Sequence, residues 1–171
     1  VSMMTTRLMR QVLLAFFMTA LAFLSGCGSS SRTAAPSKYN LVFMAHPHIN
    51  NTAPLKVRVF LLKSDADFMS ADFFSLQSNP QAILGSNLLN SDQFFLIPGQ
   101  QNKTLTGQGI GDARFIGVMA EYQSLDGKKW RVSLPLPVAN EEHFYTFWKS
   151  SSDTLEAHLF LDINGIRVVN K

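Results

Sequence analysis

Lys56 to Leu76 reads KVRVFLLKSDADFMSADFFSL, a strand followed at once by a helix. In Lys56 to Lys63, Val57, Val59 and Leu61 point to one side and Arg58 and Phe60 to the other, the two-residue period of a pleated strand. Its tail turns wholly apolar at Phe60-Leu61-Leu62. Ser64 and Asp65 then offer capping side chains, and Asp67 suits the positive end of a helix dipole. Met69, Phe73 and Leu76 recur at i, i+4 and i+7, with Phe68 and Ala71 beside them. That spacing predicts one amphipathic helix of about three turns, stopping before Pro80. Gln81 to Leu84 continues it as a shorter turn, with Gly85 as its terminator.

On both sides of this stretch the pattern is β. Upstream, Tyr39 to Ala45 (YNLVFMA) reads as the first strand. His46 to Leu55, HPHINNTAPL, has two prolines, two asparagines and no periodicity, so it is a loop. It is long for a hairpin connection, and long loops in compact domains tend to carry function. Downstream, Gln93 to Ile97 is a strand stopped by the turn Pro98-Gly99. Gln101 to Leu105 is polar with alternate spacing, as an edge strand is, and Gly107, Gly109 and Gly111 mark a loop. Arg114 to Gln123 is the clearest strand, returning through Leu125-Asp126-Gly127 into Lys129 to Leu134. Asn140 to Phe147 fits helix and strand equally. Leu155 to Ile163 alternates apolar and polar residues, and Asn164-Gly165 predicts a type I′ turn into Ile166 to Val169. About seven or eight strands with one inserted helix make an all-β fold, a two-sheet β-sandwich with a small inserted helical element. The 14 Phe are ample for a core between two sheets.

The amino-terminal segment has a different logic. Met3 or Met4 would serve as a start, Arg7 and Arg10 make a basic region, and Val12 to Leu24 is apolar except for Thr19. Such a stretch is a signal-peptide core, short of the ~20 residues that span a bilayer. Leu24-Ser25-Gly26-Cys27 resembles the bacterial lipobox, in which the cysteine sulfur takes a diacylglycerol and the chain is cut just before it. Cys27 is the only cysteine, so it has no disulfide partner within the chain. Gly28 rather than Asp after it points to the outer membrane. Residues 1–26 are thus expected to be a lipoprotein signal peptide, 27–37 (through GSSSRTAAPS) a lipidated flexible tether, and 38–171 the β-sandwich domain. Losing Arg7 and Arg10 lowers the net charge from +3 to +1. With no basic run longer than Lys128-Lys129, no nucleic-acid partner is expected.

At this point the chain resembles the TssJ (SciN-like) outer-membrane lipoproteins of the type VI secretion system. Val57-Arg58-Val59-Phe60-Leu61-Leu62 is similar to the family's "V-R-V-Y-Q-L" strand. Phe68 to Leu76, FMSADFFSL, is similar to its "F-x-x-A-D-F-F-x-L" helix. Leu84-Gly85, Leu88-Leu89 and Pro98-Gly99 resemble "L-G-x-D-L-L … P-G", with Asn87 at the Asp position, and Ile116 to Tyr122 with Trp130-Arg131 resemble "I-G-V-x-A-x-Y … W-R". The resemblance implies a transthyretin-like sandwich lipid-anchored at the periplasmic face of the outer membrane. It also implies a partner, the periplasmic C-terminal region of TssM, within a TssJ–TssL–TssM complex. In the family the loop between the first two strands makes that contact. Here this loop is His46, Pro47, His48, Ile49, Asn50, Asn51, Thr52, Ala53 and Pro54. Ile49 and Leu55, flanked by Asn50, Asn51 and Thr52, would give it an apolar anchor with a hydrogen-bonding rim.

Other chemistry is weaker. His46-Pro47-His48 has metal-binding spacing, but only His143 and His158 remain as further imidazoles, so no metal is expected. Asp65, Asp67 and Asp72 sit where a helix starts and read as caps and a solvated face. Gly107 to Gly111 lacks the Lys-Ser/Thr of a phosphate loop. No Gly-x-Ser-x-Gly elbow exists, and no nucleophile and base can be assembled, so no catalytic residue and no cofactor beyond the lipid on Cys27 is expected. Trp130 and the pair Phe73 and Phe74 read as packing. A second reading is a periplasmic lipoprotein holding a hydrophobic or glycan ligand in a cavity lined by Phe94, Phe95 and Phe115.

Overall fold

A computed structural model describes residues 6–15, 37–137 and 154–169. Chain contacts divide it into two units, Val1–Thr33 and Ala34–Lys171. In the first, residues 6–15 form a helix, α1, exposed along its length. No described helix is long and apolar enough to cross a membrane. Cys27, residues 28–36 of the tether and Asn140 to Phe147 lie outside the described residues.

The second unit is built on eight described strands in two four-stranded sheets. One sheet holds β1 (Lys38–Ala45), β4 (Lys103–Gln108), β7 (Thr154–Asp162) and β8 (Gly165–Val169), in the order β4-β1-β7-β8. The other holds β2 (Leu55–Leu62), β3 (Leu88–Leu96), β5 (Phe115–Glu121) and β6 (Arg131–Pro135), in the order β3-β2-β5-β6. Every ladder is antiparallel except β1 with β7, which run parallel with Leu41 opposite Ala157. Alternation sends Leu41 and Phe43 of β1, Val57 and Val59 of β2, and Ile116 and Val118 of β5 into one core between the sheets.

The apolar tail of β2 has a separate cause. Phe60 and Leu62 face away from that core, into a second cluster with Phe68, Phe73, Leu76, Leu84 and Met119. Three short helices cover this outer face: α2 (Ala66–Ser70), α3 (Phe73–Ser78) and α4 (Pro80–Leu84). Phe68 lies so close over Gly117 of β5 that a Cβ there would stand 2.9 Å from its ring. A strand covered on both faces has no polar side left to show.

The single helix expected from Ala66 to Pro80 is instead two. The chain is extended at Ala71 (ψ 152°) and Asp72 (ψ 157°). Asp72 caps α3 through Oδ1, which accepts the Ser75 N–H at 3.0 Å, and bonds from the Ser75 hydroxyl and backbone hold its carboxyl below the usual range. Arg131 of β6 donates Nη1 to the Phe68 carbonyl at 2.9 Å and also to that of Ala71, which stops α2 from continuing. Arg58 of β2 likewise donates to Gln77 O at 2.9 Å at the end of α3. Phe68 takes the buried position expected of Met69, which is 41% exposed. Asp65 caps nothing; it accepts from Ser133 Oγ at 2.6 Å and ties α2 to β6. Asn79 caps α4 and Gly85 ends it at φ 53°.

Two further differences are local. β3 begins at Leu88, not Gln93, because Asn90, Ser91 and Asp92 sit on an edge strand where no hydrophobic alternation is required. The β7–β8 turn is not type I′. Neither Ile163 nor Asn164 has positive φ, which falls on Gly165 at 121°. Gly165 is needed twice over, since a Cβ on it would stand 2.4 Å from the Lys129 backbone nitrogen.

Candidate functional site in the loop between the first two strands

The parallel β1–β7 pair and the antiparallel β2 ladder bring four connections to one end of the sandwich. They are residues 46–54, 97–102, 122–130 and 163–164. The 46–54 loop is tied to the 97–102 and 122–130 connections and to the end of β7. His46 N donates to Leu161 O at 2.9 Å, and Gly99 N donates to His46 O at 3.3 Å. Gln123 N donates to Asn50 Oδ1 at 2.8 Å. Below them the Tyr122 hydroxyl donates to Asp162 O at 2.9 Å. Burial, and then the Asp162 charge, push the pKa of Tyr122 well above that of a free tyrosine.

Inside the loop the chain makes a 3-10 turn at Ile49–Thr52 in which Asn50, Asn51 and Thr52 are left-handed, with φ of 52°, 53° and 63°. Asn suits that region because its short amide can bond locally; β-branched Thr does not. The asparagine pair was a signal for this backbone that reading the segment as an aperiodic loop passes over.

The loop does not present the apolar anchor that its sequence implied. Ile49 and Leu55 are both 0% exposed, part of the core between the sheets, and Asn50 is 5% exposed. A loop closing a sandwich needs apolar feet, and these two residues are the feet. Outward stand Pro47, His48, Asn51, Thr52 and Pro54, with His46 and Ala53 half-buried. The surface offered is a ridge of prolines and hydrogen-bonding groups on a rigid base.

His46 and His48 lie with ring centroids 5.7 Å apart, but His46 Nδ1 already accepts the His48 N–H at 3.0 Å. Among the described residues no three metal-ligating side chains converge. His143 lies outside them. Phe94, Phe95 and Phe115 do not share a cavity. Phe94 packs inward on Phe43 at 4.9 Å, Phe95 is 61% exposed, and Phe115 joins the helix-covered cluster. A groove of about 680 Å³ lies instead between α3 and the 122–126 segment, lined among others by Phe73, Phe74, Gln77 and Tyr122. Phe73 packs edge-on against Trp130 at 5.1 Å, whereas Phe74, expected to pack, is 69% exposed at its rim.

The family model described as type VI secretion lipoprotein, VasD, EvfM, TssJ, matches residues 37–159. The chain belongs to the type VI secretion lipoprotein family. Lip of Serratia marcescens, described as a membrane bound component of the type VI secretion system, is 56% identical with a TM-score of 0.71, over 80% of this chain and 99% of that one. The lipoprotein TssJ1 from Pseudomonas aeruginosa is 28% identical with a TM-score of 0.68, over 80% and 98%. A chain of the structure described as the T6SS protein TssM C-terminal domain from EAEC shares the fold at 21% identity, with a TM-score of 0.57 over 80% and 100%. No curated protein sequence matches the chain. The family membership agrees with the all-β sandwich and its inserted helices, and with the motifs at Val57, Phe68, Ile116 and Trp130. Within those motifs Phe60, Leu62, Phe68, Phe73, Leu76 and Met119 pack under the helical insert, whereas Val57, Val59, Ile116 and Val118 pack between the sheets.

Proposed function

We propose that this protein is the lipid-anchored, outer-membrane member of the type VI secretion membrane complex, and that its 46–54 loop holds the periplasmic C-terminal region of TssM. Its work is structural; it binds and does not catalyse. Cys27 carries the lipid, and the residues that follow it give the sandwich reach from the membrane. The family match carries the membrane role. For the contact, the supporting observation is a loop with buried feet whose outward residues are Pro47, His48, Asn51, Thr52 and Pro54. Such a ridge on a rigid scaffold loses little conformational freedom on binding.

Deleting part of this loop would remove Asn50, which bonds Gln123 N and Pro54 O, so surface substitution is the cleaner test. The double change Asn51→Lys, Thr52→Lys is expected to weaken binding to the TssM periplasmic domain by about 2 kcal/mol or more, the size of an interface hot spot, with the fold retained. Undiminished binding in biolayer interferometry refutes the loop assignment. Cys27→Ser is expected to leave the membrane fraction; retention there refutes the anchor.

A further inference from the structure

We propose that Asn50 is the positioning residue that holds the 46–54 loop in its contact shape before any partner arrives; this rests on the reading of that loop as the partner contact. Asn50, Asn51 and Thr52 are three successive non-glycine residues in left-handed backbone. A chain keeps such a run only when its surroundings over-determine it. Ile49 on one side and Leu55 on the other are fixed in the core. Between them, the Asn50 amide spends both ends of its side chain on the loop. Oδ1 accepts the backbone N–H of Gln123, 73 residues along the chain, at 2.8 Å. Nδ2 donates to Pro54 O at 3.0 Å, closing the loop on itself, and Asn50 O accepts the Ala53 N–H at 3.1 Å.

Neither aspartate nor alanine does this work. Aspartate would keep the acceptor for Gln123 but set a carboxylate oxygen against the Pro54 carbonyl. Alanine would leave the Gln123 N–H without its partner and resist the left-handed backbone. Asn51 and Thr52, the outward residues, are therefore carried on a bracket latched to the β5–β6 connection. Gln123 also lines the groove beside Phe74, so the latch joins the loop and that groove wall into one surface. Without it the loop samples other shapes, and affinity falls in proportion to the time spent out of the competent one.

Asn50→Gly tests this, because glycine accepts the left-handed backbone and deletes only the amide. In the chain purified from membranes without partner, hydrogen exchange at the Gln123 and Ala53 amides should speed up about tenfold, while the β2 amides stay protected. Binding to the TssM periplasmic C-terminal domain should weaken about tenfold, mainly through slower association, since only a fraction of the molecules carries the competent loop. Unchanged exchange, or a loosened loop that binds with wild-type rate constants, overturns the proposal. If Asn50→Gly does not fold, Asn50→Asp, which keeps the Gln123 bond and loses the one to Pro54 O, should speed exchange at the Ala53 amide and slow association; unchanged exchange at Ala53, or a loosened loop that binds with wild-type rate constants, overturns the proposal. Wild-type chain that fails to bind this domain refutes the loop as partner contact and the binding role of Asn50 with it; the exchange arm then decides by itself whether Asn50 holds the loop.

Discussion

Replacing Arg131 by alanine should undock the helical insert, and the size of the effect follows from what the guanidinium touches. Nη1 donates to the carbonyls of Phe68 and Ala71, the end of α2, and the guanidinium carbon sits 4.4 Å from the Trp130 ring centroid. Burial lowers the Arg131 pKa, yet an arginine remains charged at neutral pH. Hydrogen bonds from a charged donor contribute about 1.5–3 kcal/mol each. The cation–π contact adds about 0.5–1 kcal/mol. Arg131 is half-buried and the freed carbonyls can partly reach water, so the net loss is set lower, at about 2–4 kcal/mol. Arg131→Lys keeps the charge but offers no planar fork, and should lose about half as much. Urea unfolding followed by far-UV circular dichroism measures both. With a slope of about 1.5–2 kcal/mol/M, alanine should lower the midpoint by about 1–2.7 M. Hydrogen exchange should rise first across residues 66–84 and spare β1 and β7. An alanine variant within about 0.5 kcal/mol of wild type, or one that loosens the two sheets before the helices, would refute the idea that this side chain clamps the insert.

Gly165→Ala should cost more than about 3 kcal/mol, combining a strained φ of 121° with overlap on the Lys129 backbone, and expression in inclusion bodies or a collapsed melting temperature would show it. Tyr122 titrates above its unfolded value of ~10, so above that pH the unfolded chain gives up its proton first. Stability is therefore intact below pH ~10 and falls as pH rises beyond it. Tyr122→Phe should remove that part of the alkaline slope while losing about 1 kcal/mol at neutral pH with its bond to Asp162, as paired urea titrations at neutral and alkaline pH would reveal. Phe68→Ala should cost about 3–5 kcal/mol, because the side chain is fully buried over Gly117 and its loss leaves a cavity in that cluster; thermal unfolding measures it.

Much of the fold was legible because strand signals are local. Alternation at Tyr39, Leu41 and Phe43, the apolar run at Phe60 to Leu62 and the turn residues Pro98-Gly99 each declare themselves within a few positions. The loop was legible as a loop for the same reason, since HPHINNTAPL has no period to bury. Its inner workings were not. Ile49 and Asn50 read as contact residues in the sequence and are buried in the fold, because burial depends on which strands close over a segment.

The sequence by itself determined the two-residue period of the strands and the sites where the chain must turn, both of which depend on neighbours along the chain. Only the tertiary structure decided where α2 ends, which way Ile49 points and what Asn50 holds. The partners that settle these matters, Arg131 for Phe68 and Gln123 for Asn50, lie 63 and 73 residues away. A hydrogen bond satisfied across that separation outweighs local helix propensity of a few tenths of a kcal/mol per residue. The choice is therefore made when the two sheets come together.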